Sequence, residues 1–566
     1  MTGGRTAVGG RYAVPTAQRP QSVPELIGRA AERDPHHEAL RWKADGGWSS
    51  LSYAQMWEQV RATTMGLRSL GVGPGDRVVI LARSRPEWVI ADLAVMALGA
   101  VSCPLQPSEP PGRLQALMRR LAPRLVIVEN DHLLHRLLRG GAGGLDLAVV
   151  GMEPLARAGS RTLAEVASAM NRSPGAAAAW DVALASIGRD RVATIVHTMG
   201  EEGEPRGAVL THGNVVHAAL ASTEAIPLTS GDVLLSVLPL SHMFERGSAV
   251  LATLGAGATV VFADRSVEGW ASDMAEVGPT VMCVIPFFLQ QLERGIREQV
   301  ARQPAWARAL LRAGVGRRQV RASVRRALGR RLRFFVSGGA PLPEGTARFF
   351  DALGVQILQG YGLTETAPLL AVNRPGANRI GTVGPPVAET EIRIEAGTGE
   401  VLARGPQVMT GYLDLPEVNA RLIEPDGWFH TGDRGSFDDA GHLRITGRVK
   451  NLIVLSTGKK VTPAPIERAI EASPLIERAV MLGDWQDQVG VLLWPAGGPD
   501  AGVGGPPSLD ALRHDVERLT TDFATFERPR RIGVVSAPIG EAPSDGVGRR
   551  QLVVARFAEE VAALFG

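Results

Sequence analysis

The sequence predicts an α/β protein whose sheets are covered by helices over most of its length, with a small β-rich subdomain and a last α/β stretch toward the C-terminus. Three observations carry this: apolar strand-like runs alternate with helical patterns, the pattern turns to shorter strands from about residue 380, and strand–helix alternation returns near Arg448. "DRVVILA" (76–82) precedes the helical "PEWVIADLAVMALGA" (86–100), and "RLVIVEN" (124–130) precedes a leucine-rich helix. "ATVVFAD", "TVMCVIP", "RLRFFVSGG" and "VQILQGYG" follow in turn. Such alternation is what parallel sheets packed between helices require. Strands expected at 334–337 and 355–359 end in glycine-rich turns, the place where open α/β sheets hold ligands. Beyond 380, "EIRIEA", "GEVLARG" and "GHLRITG" read as short strands.

At 566 residues and 45% hydrophobic content, the chain can bury large cores and divide into several domains. The net charge of +3 is too small to imply a general attraction to nucleic acid or membrane. Only four lysines occur (Lys43, Lys450, Lys459, Lys460), so the 61 basic residues are almost all arginine. Cys103 and Cys283 stand far apart with no metal spacing, which suits core packing in a reducing cytoplasm. The most apolar stretch, "GSAVLATLGAGATVVFAD" (247–264), is broken by glycine and reads as buried helix, turn and strand rather than a membrane span. Residues 1–20 lack the apolar core of a signal peptide and are expected to be disordered.

The segment 308–333 holds ten arginines and no acid. It lacks the interleaved aromatics of a base-stacking surface, so nucleic acid is not expected. The segment reads as a solvated amphipathic helix, capable at most of weak peripheral contact with anionic lipid.

Chemistry concentrates in five stretches. "HTMGEEGEPRGAVLTHGN" (197–214) has the glycine punctuation of a polyphosphate loop, yet carries three glutamates. In "QGYGLTETAP" (359–368), Tyr361 can stack on a nucleobase while Thr364 and Glu365 face phosphate and magnesium; taken alone, it is a glycine turn with a core tyrosine. "GWFHTGDRG" (427–435) sets Asp433 after a tight turn, where its carboxylate can accept both hydrogens of a ribose diol, although a lone aspartate there is usually a cap. "GRVKNLIVLSTGKKVTPAPIE" (447–467) is an apolar strand with basic flanks. "LPLSHMFERG" (238–247) places His242 among apolar residues, where a satisfied buried histidine is the ordinary outcome.

Together these stretches resemble the adenylate-forming (AMP-binding) superfamily, and within it the long-chain fatty acyl-CoA synthetases. "LPLSHMFER", "FFVSGGAPL", "GYGLTET", "NRPGANRIGTVGPP", "WFHTGDRG" and "LRITGRVKNLIV" occur in the family's order, and the resemblance spans roughly residues 25–560. It implies an N-terminal AMP-binding domain over 21–447 and a small mobile C-terminal domain over 448–566, rotating between two half-reactions. In the first, ATP and magnesium activate a fatty acid or other carboxylic acid as an acyl adenylate, releasing pyrophosphate. In the second, the thiol of CoA displaces AMP. The resemblance assigns Thr198, Gly200, Gly203 and Arg206 to the phosphate loop, and Gly338, Gly339 and Ala340 to the adenine and acyl site. Tyr361 would stack on adenine with Gly362 in the same turn, Thr364 and Glu365 would serve phosphate and magnesium, and Asp433 and Arg448 would hold the ribose. Lys450 takes the hinge position, and His242 would gate the acyl site.

Two places depart from the family pattern. Its loop reads Thr-Ser-Gly-Thr-Thr-Gly-x-Pro-Lys-Gly, whereas this chain has Met199, Glu201 and Glu202 where three hydroxyl donors belong. A carboxylate about 5 Å from a phosphate costs about 3 kcal/mol at an effective dielectric near 20, enough for roughly a hundredfold in rate. The family's late catalytic lysine falls on Val547 of "GVGRRQLVVARF" (546–557), and no lysine follows Lys460. Arg549 or Arg550 could replace it only in a shifted register, with a forked rather than a point charge. Two readings stay open: a ligase with weakened or rerouted adenylation, able to join CoA to a preformed acyl adenylate, or a non-catalytic relative that binds an acyl chain, nucleotide or protein partner.

Overall fold

A computed structural model describes residues 6–12, 15, 18–44, 46–139, 148–170, 176–199, 204–263, 267–302, 317–449, 452–496, 507–535, 537, 539 and 546–566; at 170, 176–179, 199, 267, 268, 271, 317, 318, 320 and 546–548 it describes the backbone alone. Among these residues the chain forms two eight-stranded sheets, a five-stranded sheet, a two-stranded hairpin and a three-stranded sheet.

The first eight-stranded sheet is centred on the parallel strands Arg77–Leu81, Val101–Leu105 and Leu125–Val128. Alternation decides what each strand covers. Val78 and Ile80 enter the central core, while Val79 and Leu81 enter a second cluster on the opposite face, as a period of two requires. Both faces are buried, which is why these strands are continuously apolar in sequence. The second sheet places Gln356–Tyr361, Phe334–Ser337, Val281–Val284, Val233–Ser236 and Thr259–Phe262 side by side in parallel. Leu234, Val281, Cys283 and Val336 face the central core, and Leu235, Met282 and Phe335 face the outer cluster.

Two helices belong to the core shared by these sheets. Pro86–Ala97 is buried on every side and starts on a proline, which suits the first helical turn. His212–Ala225 is almost wholly buried and opens with a capping box between Thr211 and Asn214. The stretch 247–264 contains helix, turn and strand in that order: a π-helix Phe244–Leu251 runs into Ala252–Ala256, turns at Gly257 and enters Thr259–Phe262. Arg246 is buried within the π-helix and bonds Asp92 through Nε and Nη2, at 2.8 and 2.5 Å, and Thr194 at 2.8 Å. This clamp ties the π-helix to both the buried helix and the first sheet.

The β-rich subdomain is the five-stranded sheet of Glu391–Ile394, Glu400–Arg404, Phe429–Phe437 and Leu443–Arg448, joined at its edge by Thr6–Val8. Where residues 1–20 are described, at 6–12, 15 and 18–20, that edge strand corrects the expectation of disorder. Thr6–Val8 pairs antiparallel with Glu391–Arg393, the Tyr12 hydroxyl donates to the His217 carbonyl at 3.0 Å, and Arg19 pairs with Glu389 at 2.8 Å. A glycine-rich polar segment has no core of its own, but it can complete a neighbour's unpaired backbone.

The arginine-rich segment lies partly outside the described residues. Its described helix, Arg317–Ala327, buries Val324, followed by Leu328 and Leu332, and leaves Arg321, Arg325 and Arg326 exposed. Among the described residues no helix is long and apolar enough to cross a membrane. Beyond Arg448 come the hairpin Ile453–Val454/Lys460–Val461 and the sheet of Ile476–Leu482, Gly490–Pro495 and Arg531–Val534, covered by helices including Gly546–Arg556.

Candidate active site

A cavity of about 780 Å³ opens at the carboxyl ends of the second sheet's strands, walled by the π-helix, the β-rich sheet and the hairpin at 453–461. Its nucleoside-like end is set by strand register. Asp433 and Arg448 are direct partners across antiparallel strands, and Arg448 Nε lies 3.1 Å from Asp433 Oδ1. From the second sheet, the Tyr361 hydroxyl donates to Asp433 Oδ2 at 2.8 Å. Burial, and then the charge of Asp433, push the Tyr361 hydroxyl well above the usual phenol range, so it remains a donor. Asp433 is only 2% exposed and has both oxygens engaged, but each retains a lone pair for a further donor such as a hydroxyl.

The three residues after Phe334–Ser337 shape the middle of the cavity. Gly338 lies against the ring of Phe244, where an added Cβ would come within 3.0 Å. Gly339 has φ +79° and meets the tip of the small hairpin at Gly458, φ +75°. Ala340 completes the rim. Gly362 has no room for a side chain, since a Cβ would fall 1.8 Å from the Pro368 carbonyl oxygen.

The phosphate side is less complete. Thr198 is the penultimate residue of the strand Val192–Met199, lines the cavity and pairs with Arg206 on the next strand. Gly200, Glu201, Glu202 and Gly203 lie outside the described residues, as does Lys450. Arg206 is not among the cavity-lining residues; its guanidinium packs over the Tyr412 ring at 5.7 Å. Thr364 lines the cavity, whereas Glu365 sits behind it, 5% exposed, with Oε1 accepting from the Tyr412 hydroxyl at 2.6 Å. Thus Tyr412 holds the two charged groups that the sequence assigns to phosphate and metal.

Among the described residues no three His, Cys, Asp or Glu side chains converge as a metal cluster. Magnesium needs only one or two carboxylates beside nucleotide phosphates and water. Glu365 would meet that need only by leaving Tyr412, because its carboxylate does not line the cavity as it stands.

His242 lines the cavity and is exposed there. Burial by surrounding protein, then the charges of Lys459 and Lys460, hold its protonation down to about 4, so the ring is neutral at pH 7. Those lysines come from the small domain, whose hairpin enters the cavity wall with Thr457, Gly458, Lys459 and Lys460. The Phe287 amide donates to the Ser456 carbonyl at 3.1 Å, fixing the hairpin against the N-terminal part. Arg113 meets Glu527 at 3.1 Å in the same contact.

Sequence reasoning passed over several cavity residues. His197, Arg113, Glu245, Ser248 and Cys283 all line the cavity. Glu245 lies within the stretch 238–247 that drew attention to His242 and Ser248 just after it, but nothing in their spacing distinguishes a cavity wall from core. The position of Val547 falls in the helix Gly546–Arg556, which packs on the strand Ile476–Leu482. Arg550 is buried there, with its charge balanced by Asp484 and Glu467, and burial holds its guanidinium below the usual range. It does not line the cavity.

Residues 27–413 match the AMP-binding enzyme family, and residues 450–566 match the AMP-binding enzyme C-terminal domain. The long-chain-fatty-acid–CoA ligase FadD15 of Mycobacterium tuberculosis is 33% identical over 509 residues, covering 83% of this chain and 82% of the relative. The long-chain-fatty-acid–CoA ligase ACSBG1 of Bos taurus is 27% identical, covering 84% and 71%. Among solved structures, the A-PCP didomain of carboxylic acid reductase from Segniliparus rugosus in complex with AMP matches with a TM-score of 0.76 at 22% identity, covering 96% of this chain and 83% of that one. ATP-bound MatB from Rhodopseudomonas palustris matches with a TM-score of 0.64 at 24% identity, covering 95% and 99%. These last two likenesses are of fold.

Proposed function

The chain belongs to the AMP-binding enzyme family, and on that footing we propose that it is a long-chain fatty acid–CoA ligase in which the thioester half-reaction is favoured over adenylation. The observation that carries this reading is a single cavity joining Tyr361, Asp433 and Arg448 at one end to an apolar recess at the other, with the small-domain hairpin between them. Asp433 and Arg448 hold the ribose of an acyl adenylate, and Tyr361 lies against the base. The acyl chain fills the recess between the π-helix and the second sheet, past neutral His242. Glu365, once released from Tyr412, would be the carboxylate to hold a magnesium ion, which would supply charge neutralisation at the phosphates.

The hairpin supports the thioester step. Its tip touches Gly339, where the acyl carbonyl would lie, and Lys459 and Lys460 give that wall a positive field. Burial lowers the Lys459 ammonium from its ordinary value, and a lysine so placed can steer the phosphates of CoA without blocking the thiol.

Adenylation has less support. It needs donors and cations aimed at the α-phosphate and leaving pyrophosphate, and Glu201, Glu202 and Val547 occupy positions where such groups would stand. Arg550 is turned into the small domain, and Arg206 onto Tyr412. These same observations favour the second reading, a non-catalytic relative that keeps a nucleotide-shaped and acyl-shaped pocket. A cytoplasmic setting, with at most weak peripheral contact between the exposed arginines and anionic lipid, belongs to the same proposal.

The test is an assay of AMP, pyrophosphate and acyl-CoA across fatty acids, beside a parallel assay supplied with preformed acyl adenylate and CoA. Product from the adenylate with little from ATP supports the ligase reading. Equal rates from both overturn the weakened adenylation, and no product from either leaves the non-catalytic reading.

A further inference from the structure

The acyl recess contains a carboxyl group that nothing in the reaction uses. Glu245 is fully buried on the π-helix Phe244–Leu251 and lines the cavity. The Ser236 hydroxyl donates to its Oε1 at 2.5 Å, while Oε2 has no hydrogen-bond partner. Three residues on, Ser248 also lines the cavity, and its buried Oγ has no partner either. Around them the walls are apolar, including Met243, Ala249, Val281 and Val336. An unpaired buried polar atom costs about 1–3 kcal/mol, and two in one apolar recess would be a poor design for an unsubstituted alkyl chain.

Register gives their depth. Leu234 pairs with Val281 and Cys283 with Val336, so Ser236, Cys283 and Val336 form one row across the sheet. Gly338 lies two residues beyond Val336, roughly 7 Å at the rise of a parallel strand. The carboxyl of Glu245 therefore meets a bound chain a few carbons from its reacting end. Burial also raises the Glu245 carboxyl to about 8, with Ser236 and the nearby backbone at Leu238 and Val237 acting in the opposite direction, so it carries a proton at pH 7.

Resting on the acyl-pocket reading above, we propose that this recess selects a carboxylic acid bearing a hydroxyl group on its chain, held between Glu245 and Ser248. A hydroxyl both donates and accepts, so one group satisfies both protein atoms. A ketone could accept from the protonated carboxyl and from Ser248 but could donate to neither.

The test measures binding of non-hydrolysable acyl-sulfamoyl adenosines to the full chain, comparing the hexadecanoyl compound with isomers hydroxylated at carbons 3 through 8. The expected result is one isomer, or two adjacent ones, binding about tenfold or more tighter than the unsubstituted compound. Glu245→Met and Ser248→Ala should each bring the ratio within about twofold, while Glu245→Gln should keep a preference. AMP binding by every variant checks that the nucleoside end is folded, and Ser248→Ala with Glu245→Gln carries the comparison if Glu245→Met does not fold. Equal or weaker binding of all hydroxylated isomers, or a preference surviving both Glu245→Met and Ser248→Ala, would overturn this inference alone. If no acyl compound binds better than AMP, the acyl-pocket reading falls with it.

Discussion

The two ends of the ligand path differ in how their charges are used. At the proposed nucleoside end, Asp433, Arg448 and Tyr361 meet one another across two sheets and still face the cavity. At the phosphate end, Arg206 and Glu365 meet through Tyr412, behind the wall. A charged residue paired inside the scaffold contributes to position and stability, whereas one aimed into the cavity is available to a ligand. The contrast teaches that a motif can survive in sequence while its charges serve the fold.

The largest effect is expected where the charges remain available. Asp433→Ala removes the acceptor for a ribose diol and leaves Arg448 and Tyr361 unpaired. Two charge-assisted hydrogen bonds of about 2 kcal/mol each predict roughly a thousandfold loss in kcat/KM for acyl adenylate plus CoA. Unchanged turnover would remove the nucleoside assignment from that end.

Next comes repair of the other end. A variant combining Met199→Ser, Glu201→Thr, Glu202→Thr and Val547→Lys is expected to raise pyrophosphate release from ATP roughly a hundredfold, the size of the electrostatic penalty. The thioester half-reaction should change by less than about threefold. An equal gain in both would mean that these residues act on the whole cavity rather than on phosphate.

A smaller effect sharpens the role of the hairpin. Gly458 has φ +75° and an added Cβ would lie 3.5 Å from Ile285, so Gly458→Ala introduces about 1–2 kcal/mol of backbone strain at its tip. Roughly tenfold slower thioester formation is expected, with AMP affinity unchanged by equilibrium dialysis.

The smallest expected effect concerns stability against pH. Burial holds His197 and His217 down to about 4 and His212 to about 3. The unfolded chain binds these protons first, so their effect is a loss of stability as pH falls from about 6.5 toward 4. Glu245 acts oppositely: the folded state keeps a proton that the unfolded chain has released, so stability falls as pH rises from about 4.5 to 8. In thermal melts Glu245→Gln should lessen the decline between pH 6 and 8 and leave the acid limb in place.

Much of this contrast was legible in the residues, and the part that was not has a physical reason. Apolar runs such as 76–82 and 280–286 predict strands because a sheet covered on both faces leaves no polar alternative. Asp433 and Arg448 could be placed together through the resemblance, which assigns both to the ribose, and the antiparallel pairing of their strands brings them into contact. The ordering of Thr6–Val8 was not legible, since pairing at a sheet edge needs only backbone groups. Nor was the burial of Glu365 and Arg550, because charged residues in a motif look alike whether they face a ligand or a neighbour. The approach of Gly458 to Gly339 is a contact between parts of the chain more than a hundred residues apart, which no local period encodes.

The most direct test of the central claim is the ratio of two initial rates at saturating CoA: acyl-CoA formed from preformed acyl adenylate, and acyl-CoA formed from fatty acid with ATP and magnesium. A phosphate end short of donors beside a retained nucleoside end predicts that the first exceeds the second by about a hundredfold or more. A ratio near one would contradict it.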